Sequence, residues 1–243
     1  MRLPIQKDLS LANRLISALP ARERGLFLEQ SELVEIKLHN VLIEPGEAPA
    51  YAYFPVDSFV SVVLPVEDAP NVQVALVGNE GMFGTGLVLD VATSAFISVV
   101  QRAGRAYRID RDALQQRLDS DAPLRRVLHR YVAVRQSHLA QQAVCINQHS
   151  VKQRLARWLL MIRDRAHSRE LFVTHQVLAM MLGVRRESVT RAANSFEQRG
   201  LISYSPGYVM LLDEAALQRV TCRCYQVDLT VYEHILGIHP VTV

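Results

Sequence analysis

The hydrophobic pattern of the 243-residue chain changes period along its length. Between residues 8 and 30, Leu9, Leu11, Leu15, Ile16 and Leu19 form one helical stripe, which Pro20 ends. A second short helix is predicted from Ala21 to Gln30. From Leu33 to Ile109 apolar and polar positions alternate in short runs, among them LVEIKL, YAYFPV, SFVSVVL, VQVALVG and AYRID, separated by Pro and Gly turns. Many short strands of this kind predict an antiparallel jelly roll of about eight strands. The helical period then returns. A short helix is predicted over Asp110–Leu118, followed by a long one with Asp121 as N-cap and Pro123 in its first turn.

That long helix is expected to run about 24 residues, near 36 Å. Leu124, Leu128, Tyr131, His138 and Cys145 fall near a heptad seam, and Leu139 widens the apolar face. A helix so long and one-sided predicts a partner helix from a second subunit, with Leu124, Leu128, Tyr131, His138 and Leu139 as the dimer contacts, alongside packing on the chain's own β-domain. Asn147-Gln148-His149-Ser150 breaks the seam, offers N-cap chemistry and reads as a hinge. An amphipathic helix, Val151 to Arg165, follows. Leu155, Trp158, Leu159 and Ile162 are expected inward, and Arg154, Arg157, Arg163 and Arg165 outward.

The stretch from Thr174 to Gly200 carries the spacing of a helix-turn-helix. Leu178, Leu182, Val184, Val189 and Ala192 supply the apolar positions. Ala179 allows a close helix crossing, and Gly183 allows the turn a positive φ. Arg185, Arg186, Ser188, Thr190 and Arg191 follow the turn, a set suited to phosphates and guanine edges. Two short strands around Ser205-Pro206-Gly207 make a wing, in which Ser205 or the Gly207 amide can reach a phosphate.

Charge sharpens this reading. The chain is only +3 overall, but residues 1–120 hold 11 Lys and Arg against 15 Asp and Glu, and residues 148–223 hold 12 against 6. The basic back half is therefore expected to meet double-stranded DNA. No apolar run reaches the roughly 18 residues of a membrane span. The start, MRLPIQKDLS, does not read as a signal peptide, so a cytoplasmic protein is expected. The histidines lie scattered without nucleophile–base spacing, so an enzyme is not expected and no catalytic residue is named. Three cysteines, Cys145, Cys222 and Cys224, make no disulfide framework. Cys222-x-Cys224 lacks a second cysteine pair, so neither a metal nor another cofactor is expected. Gly78-Asn79-Glu80-Gly81-Met82-Phe83-Gly84 is either a loop whose amides hold an anion or a turn that closes the sandwich.

The order of β-sandwich, long helix, hinge and winged helix-turn-helix resembles the CRP/FNR superfamily of bacterial transcription regulators. The match rests on Arg154-Leu155-Ala156, Gly183-Val184-Arg185-Arg186-Glu187-Ser188-Val189-Thr190-Arg191 and Arg199-Gly200-Leu201-Ile202, with Tyr53-Phe54-Pro55 and the glycine loop in front. The resemblance implies an α+β fold of two domains. The two domains are a cyclic-nucleotide-binding-like β sensor (1–120) and a winged helix-turn-helix (148–224), joined by a dimerisation helix and hinge (121–147) and followed by a tail (225–243). It implies base contacts from Arg186, Glu187 and Arg191, backbone contacts from Thr174, Arg185, Ser188, Ser205 and Gly207, and RNA polymerase as a partner. An effector pocket would involve Gly78, Glu80, Gly81, Met82, Gly84, Thr93 and Ser94. This chain departs from the cyclic-nucleotide binders there. Met82 stands where they carry glutamate, Thr93-Ser94 replaces their Arg-Ser, and Leu139 and Ala140 replace their purine-contacting polar pair. A buried phosphate without its cation is disfavoured, so cyclic AMP is not the expected effector. The signal is left open. A different anion, a redox change at the cysteines and control by abundance remain as alternatives.

Overall fold

A computed structural model describes residues 12–68 and 71–238. The first part of the predicted N-terminal helix (8–11) and the last residues of the tail lie outside them. The chain divides into two compact units, Met1–Val62 with Val77–Val132, and Val63–Leu76 with Ala133–Val243. The division falls inside the long helix rather than near Asn147, and the tail belongs to the second unit.

The first unit begins with α1 (Arg14–Ser17) and α2 (Ala21–Glu29). Its strands are β1 (Ser31–Ile36), β2 (Val41–Ile43), β3 (Tyr51–Pro55), β4 (Phe59–Leu64), β6 (Ile97–Arg102) and β7 (Gly104–Asp110). Between them β5 (Val72–Val77) runs almost wholly in the second unit. One sheet has the order β1-β7-β3, antiparallel throughout; the other places β6 between β2 and β4. Alternation sets which residues meet: Ile36, Ile43, Tyr53, Val60, Phe83, Val100 and Ala106 form one core cluster. Within it the Tyr53 and Phe83 rings stack at 4.8 Å. Asn13 is fully buried and satisfied. Its amide donates to the Pro55 and Gly81 carbonyls, and its oxygen accepts from Leu15 and Ile16.

The α3 helix (Arg111–Ser120) is capped by Asp110, and α4 (Ala122–Gln148) by Asp121, whose carboxylate accepts from the Leu124 amide at 2.9 Å. The 27-residue α4 is slightly longer than expected. Its N-terminal seam corrects the sequence reading. Leu124, Leu128 and Tyr131 are 1–2% exposed and belong to the chain's own core rather than to a face open for a partner. Tyr131 also explains one glycine. A Cβ on Gly81 would stand 2.1 Å from the Tyr131 hydroxyl, so the ring occupies the space a side chain would take. Gly81→Ala should therefore lower stability by at least about 1 kcal/mol through overpacking. In chemical denaturation the double variant with Tyr131→Leu should cost less than the two single changes added together.

In the second unit α5 (Val151–Ala166) starts at a capping box in which Ser150 and Gln153 bond reciprocally. Then follow β8 (Glu170–Phe172), α6 (His175–Leu182), α7 (Arg186–Gln198), β9 (Ile202–Ser205), β10 (Tyr208–Leu211), α8 (Glu214–Val220) and α9 (Cys224–Leu236). The wing sheet has the order β8-β10-β9.

The arginines of α5 depart from the amphipathic expectation. Arg154, Arg157 and Arg163 are buried, and each holds another element. Arg154 donates to the Leu182 carbonyl at the end of α6. Arg157 pairs with Asp228 of α9 at 2.5 Å. Arg163 binds Glu214 of α8, Asp164 and the Tyr225 hydroxyl. A solvated basic face would have needed no partners. Here α6 supplies the Leu182 carbonyl, α8 supplies Glu214, and the tail supplies Tyr225 and Asp228.

Candidate DNA-binding interface

The turn between α6 and α7 forms where the sequence placed it. Gly183 adopts φ +60°, and the amide of Val184 returns to the Ala179 carbonyl at 3.0 Å. Leu178, Ala179, Leu182, Val189, Ala192, Ala193 and Phe196 are buried, which fixes the rotation of α7. The opposite face leaves Arg186, Glu187, Arg191 and Asn194 exposed, with Arg185 exposed just ahead as N-cap. The structure thus brings Arg186, Glu187 and Arg191 to one open surface. Arg191 donates to the Ser188 hydroxyl at 3.1 Å, so Ser188 orients the guanidinium. The Thr174 hydroxyl caps α6 by accepting from the Val177 amide at 3.2 Å, which leaves its proton free for another acceptor. Ser205 is exposed and Gly207 half-buried at the wing turn.

A set of contacts around His175 was missed from sequence. His175 Nδ1 lies 3.0 Å from the Thr190 hydroxyl, which itself donates to the Arg186 carbonyl. The His175 ring stacks on Tyr204 of the wing at 3.9 Å. The amide of Tyr204 bonds Glu197 of α7 at 3.0 Å. Both wing and α7 are thereby keyed to α6. The Thr190 hydroxyl is engaged internally. The cue was only a histidine and a tyrosine 29 positions apart.

Burial, aided by the Arg186 charge, holds the His175 pKa below its ordinary value. Burial also lowers His138, outweighing the attraction of Asp228, whose carbonyl lies 3.2 Å from its ring. Both folded pKa values lie below the unfolded value of about 6.5, so the unfolded chain binds more protons on acidification. Their contribution is complete above about pH 6.5 and is lost as pH falls below it. Urea midpoints should therefore drop between pH 7.5 and 5.5, and the drop should shrink in His138→Gln.

The glycine loop of the β-domain is closed upon itself. The Gly78 amide donates to Glu80, the Gly81 amide to the Gly78 carbonyl, and the Phe83 amide to Tyr53. Met82 is fully buried and Thr93 is exposed. The Ser94 hydroxyl bonds Phe96, and Gly84 turns the chain at φ +84°. These residues, grouped as an effector pocket from sequence, favour the closing turn over the anion cradle.

One grouping was not visible in the sequence. The structure gathers Cys145, His149, Cys222 and Cys224, with their ligand atoms within 4.8 Å of one another. Spacing along the chain could not show this, because Cys145 and Cys222 are 77 residues apart.

Residues 153–220 match the family model of the Crp-like helix-turn-helix domain. The chain is 28% identical over 192 residues to a CRP-like cAMP-activated global transcriptional regulator of Mycobacterium tuberculosis, an alignment covering 74% of this chain and 84% of that protein. Its fold is similar to that of the c-di-GMP responsive global regulator of Xanthomonas campestris (TM-score 0.66, 21% identity, covering 80% of this chain and 100% of the other). It is also similar to a CRP-family transcriptional regulator from Thermus thermophilus (TM-score 0.65, 19% identity, 86% and 100%). Among the described residues no helix is long and apolar enough to cross a membrane. Residues 153–220 thus form a Crp-like helix-turn-helix domain, the DNA-binding part, and the chain as a whole is similar to CRP-like transcription regulators.

Proposed function

We propose that the chain works as a homodimer that sets α7 of each subunit in a major groove of a near-palindromic site. The observation that carries this reading is the exposed row of Arg186, Glu187 and Arg191 on a helix whose other face is locked in a core. An arginine pairs bidentately with guanine O6 and N7, and a glutamate accepts from a cytosine amino group. Thr174, Arg185, Ser188, Ser205 and the Gly207 amide would hold phosphates on either side.

The dimer contact moves one face around α4 from the sequence-predicted seam. Leu139 (38% exposed), Val144 and Ile146 are open, with Ala133, Ala140 and Ala143 small enough for close helix approach. His138, turned toward the Asp228 carbonyl, drops out of the contact set.

The regulator named above is cAMP-activated; for this chain we infer a different signal. Met82 in the core and Thr93-Ser94 in place of a cation support that. RNA polymerase is the partner through which a bound dimer would act. Selection of bound sequences from random DNA tests the reading. Two half-sites centred about 34 Å apart, one helical turn, are expected, and recovery of single unpaired half-sites would overturn the dimer. Cyclic AMP should give no dose-dependent rise in melting temperature.

A further inference from the structure

We propose that Cys145, His149, Cys222 and Cys224 bind one zinc ion as a closed Cys3His site within the second unit. The four ligand atoms already converge. Cys145 Sγ and Cys222 Sγ lie 3.6 Å apart, Cys224 Sγ and His149 Nδ1 3.5 Å, and all four fall within 4.8 Å. Zn–S bonds of about 2.3 Å and a Zn–N bond of about 2.0–2.1 Å at tetrahedral angles put ligand atoms about 3.6–3.8 Å apart. The side chains need only small adjustments to close on an ion. A multi-iron cluster, whose ligands bind different irons, would need a wider spread.

Local structure explains the convergence. Cys145 and His149 are four residues apart at the end of α4, and the His149 amide still bonds the Cys145 carbonyl, so both side chains share one face. Cys222 lies just ahead of α9 and Cys224 is its first residue. The three thiols are 2–4% exposed, and His149 is half-buried. The positive charges of Arg154 and Arg157 act on Cys145. The Gln141 amide donates to Cys224 Sγ at 3.0 Å, the outer-shell hydrogen bond that tunes a metal–sulfur site. Among the described residues no carboxylate pairs with the Arg154 guanidinium, which would face the net negative charge of three thiolates around one Zn2+. Two thiolates and an imidazole select zinc over harder cations, and a third thiolate strengthens that choice.

Binding releases one proton from each thiol to solvent. With four protein ligands no position remains for water or substrate, so the site is structural. It joins the end of α4 to the start of α9.

The test uses the full chain, purified reduced and without chelator. Metal analysis should find about one zinc per chain. After removal of zinc, cobalt(II) titration should give the visible bands of a tetrahedral ion and a thiolate-to-cobalt charge-transfer band, saturating at one equivalent and bleached by zinc. Cys222→Ser should abolish tight binding. His149→Gln, at a half-buried position that spares the core thiols, should keep the charge-transfer band and weaken cobalt affinity about tenfold or more. If Cys222→Ser fails to fold, His149→Gln carries the test alone, and wild-type affinity in that variant would overturn the proposal. So would a reduced chain that gives no charge-transfer band, or one isolated with a Cys145–Cys222 disulfide that binds no metal after reduction.

Discussion

Asp228→Asn will destabilise the C-terminal unit by about 3–5 kcal/mol, the cost of leaving one member of a buried ion pair uncompensated. Asp228 and Arg157 have side chains only 9% and 6% exposed and meet at 2.5 Å. Burial alone would depress the Arg157 pKa, yet Asp228 holds it above its ordinary value. Without the carboxylate charge the guanidinium stays in an apolar setting between α5 and α9. Arg157→Met should be comparably harmful, since it strands the carboxylate. Arg157→Met with Asp228→Leu should recover much of the loss, because no buried charge remains. Urea denaturation of the four proteins checks this. A loss below about 1 kcal/mol in Asp228→Asn would mean that water reaches the pair. The double variant separates charge from shape: if it is as unstable as the single changes, packing rather than the ion pair joins α9 to α5.

What could be read from the sequence follows the distance over which each feature is decided. The helix-turn-helix was legible because Leu178, Gly183, Val189 and Ala192 lie within one local repeat, and the structure places all of them as expected. The caps Asp121 and Ser150 are local too, and each accepts a backbone amide at the start of its helix. The α5 arginines were misread because helical period gives only their face. Whether that face meets water depends on Glu214 and Asp228, some 50 to 70 positions later. The heptad of α4 had the same weakness. Leu124, Leu128 and Tyr131 are spaced for a partner helix or for the chain's own sandwich, and period does not distinguish them. Gly81 was read only as part of a loop that holds an anion or closes the sandwich, because the neighbour that needs its missing side chain, Tyr131, lies 50 residues on. The thiols and His149 come together only once α9 has docked.

Arg191→Ala will lose about 1–3 kcal/mol of affinity for the selected site and relax preference at one base position. The side chain is exposed, so folding should be unchanged. Its only hydrogen bond among the described residues is the one it donates to Ser188. Ser188→Ala should then reproduce a fraction of the loss, because the guanidinium keeps its charge and loses the group that aims it. Glu187 stands four residues before Arg191 on the same face, so the two should read neighbouring bases, and their effects should not add. Arg185 gives the contrast. Lying ahead of α7 as its N-cap, it is placed for a phosphate. Arg185→Ala should weaken all sequences about equally and reduce the slope of log affinity against log salt by about 1. Binding measured to the selected site, to single-base variants and to random DNA at several salt concentrations distinguishes the two behaviours. If Arg191→Ala weakened every sequence alike and lowered the salt slope, Arg191 would be a phosphate contact, and base reading would fall to Arg186 and Glu187.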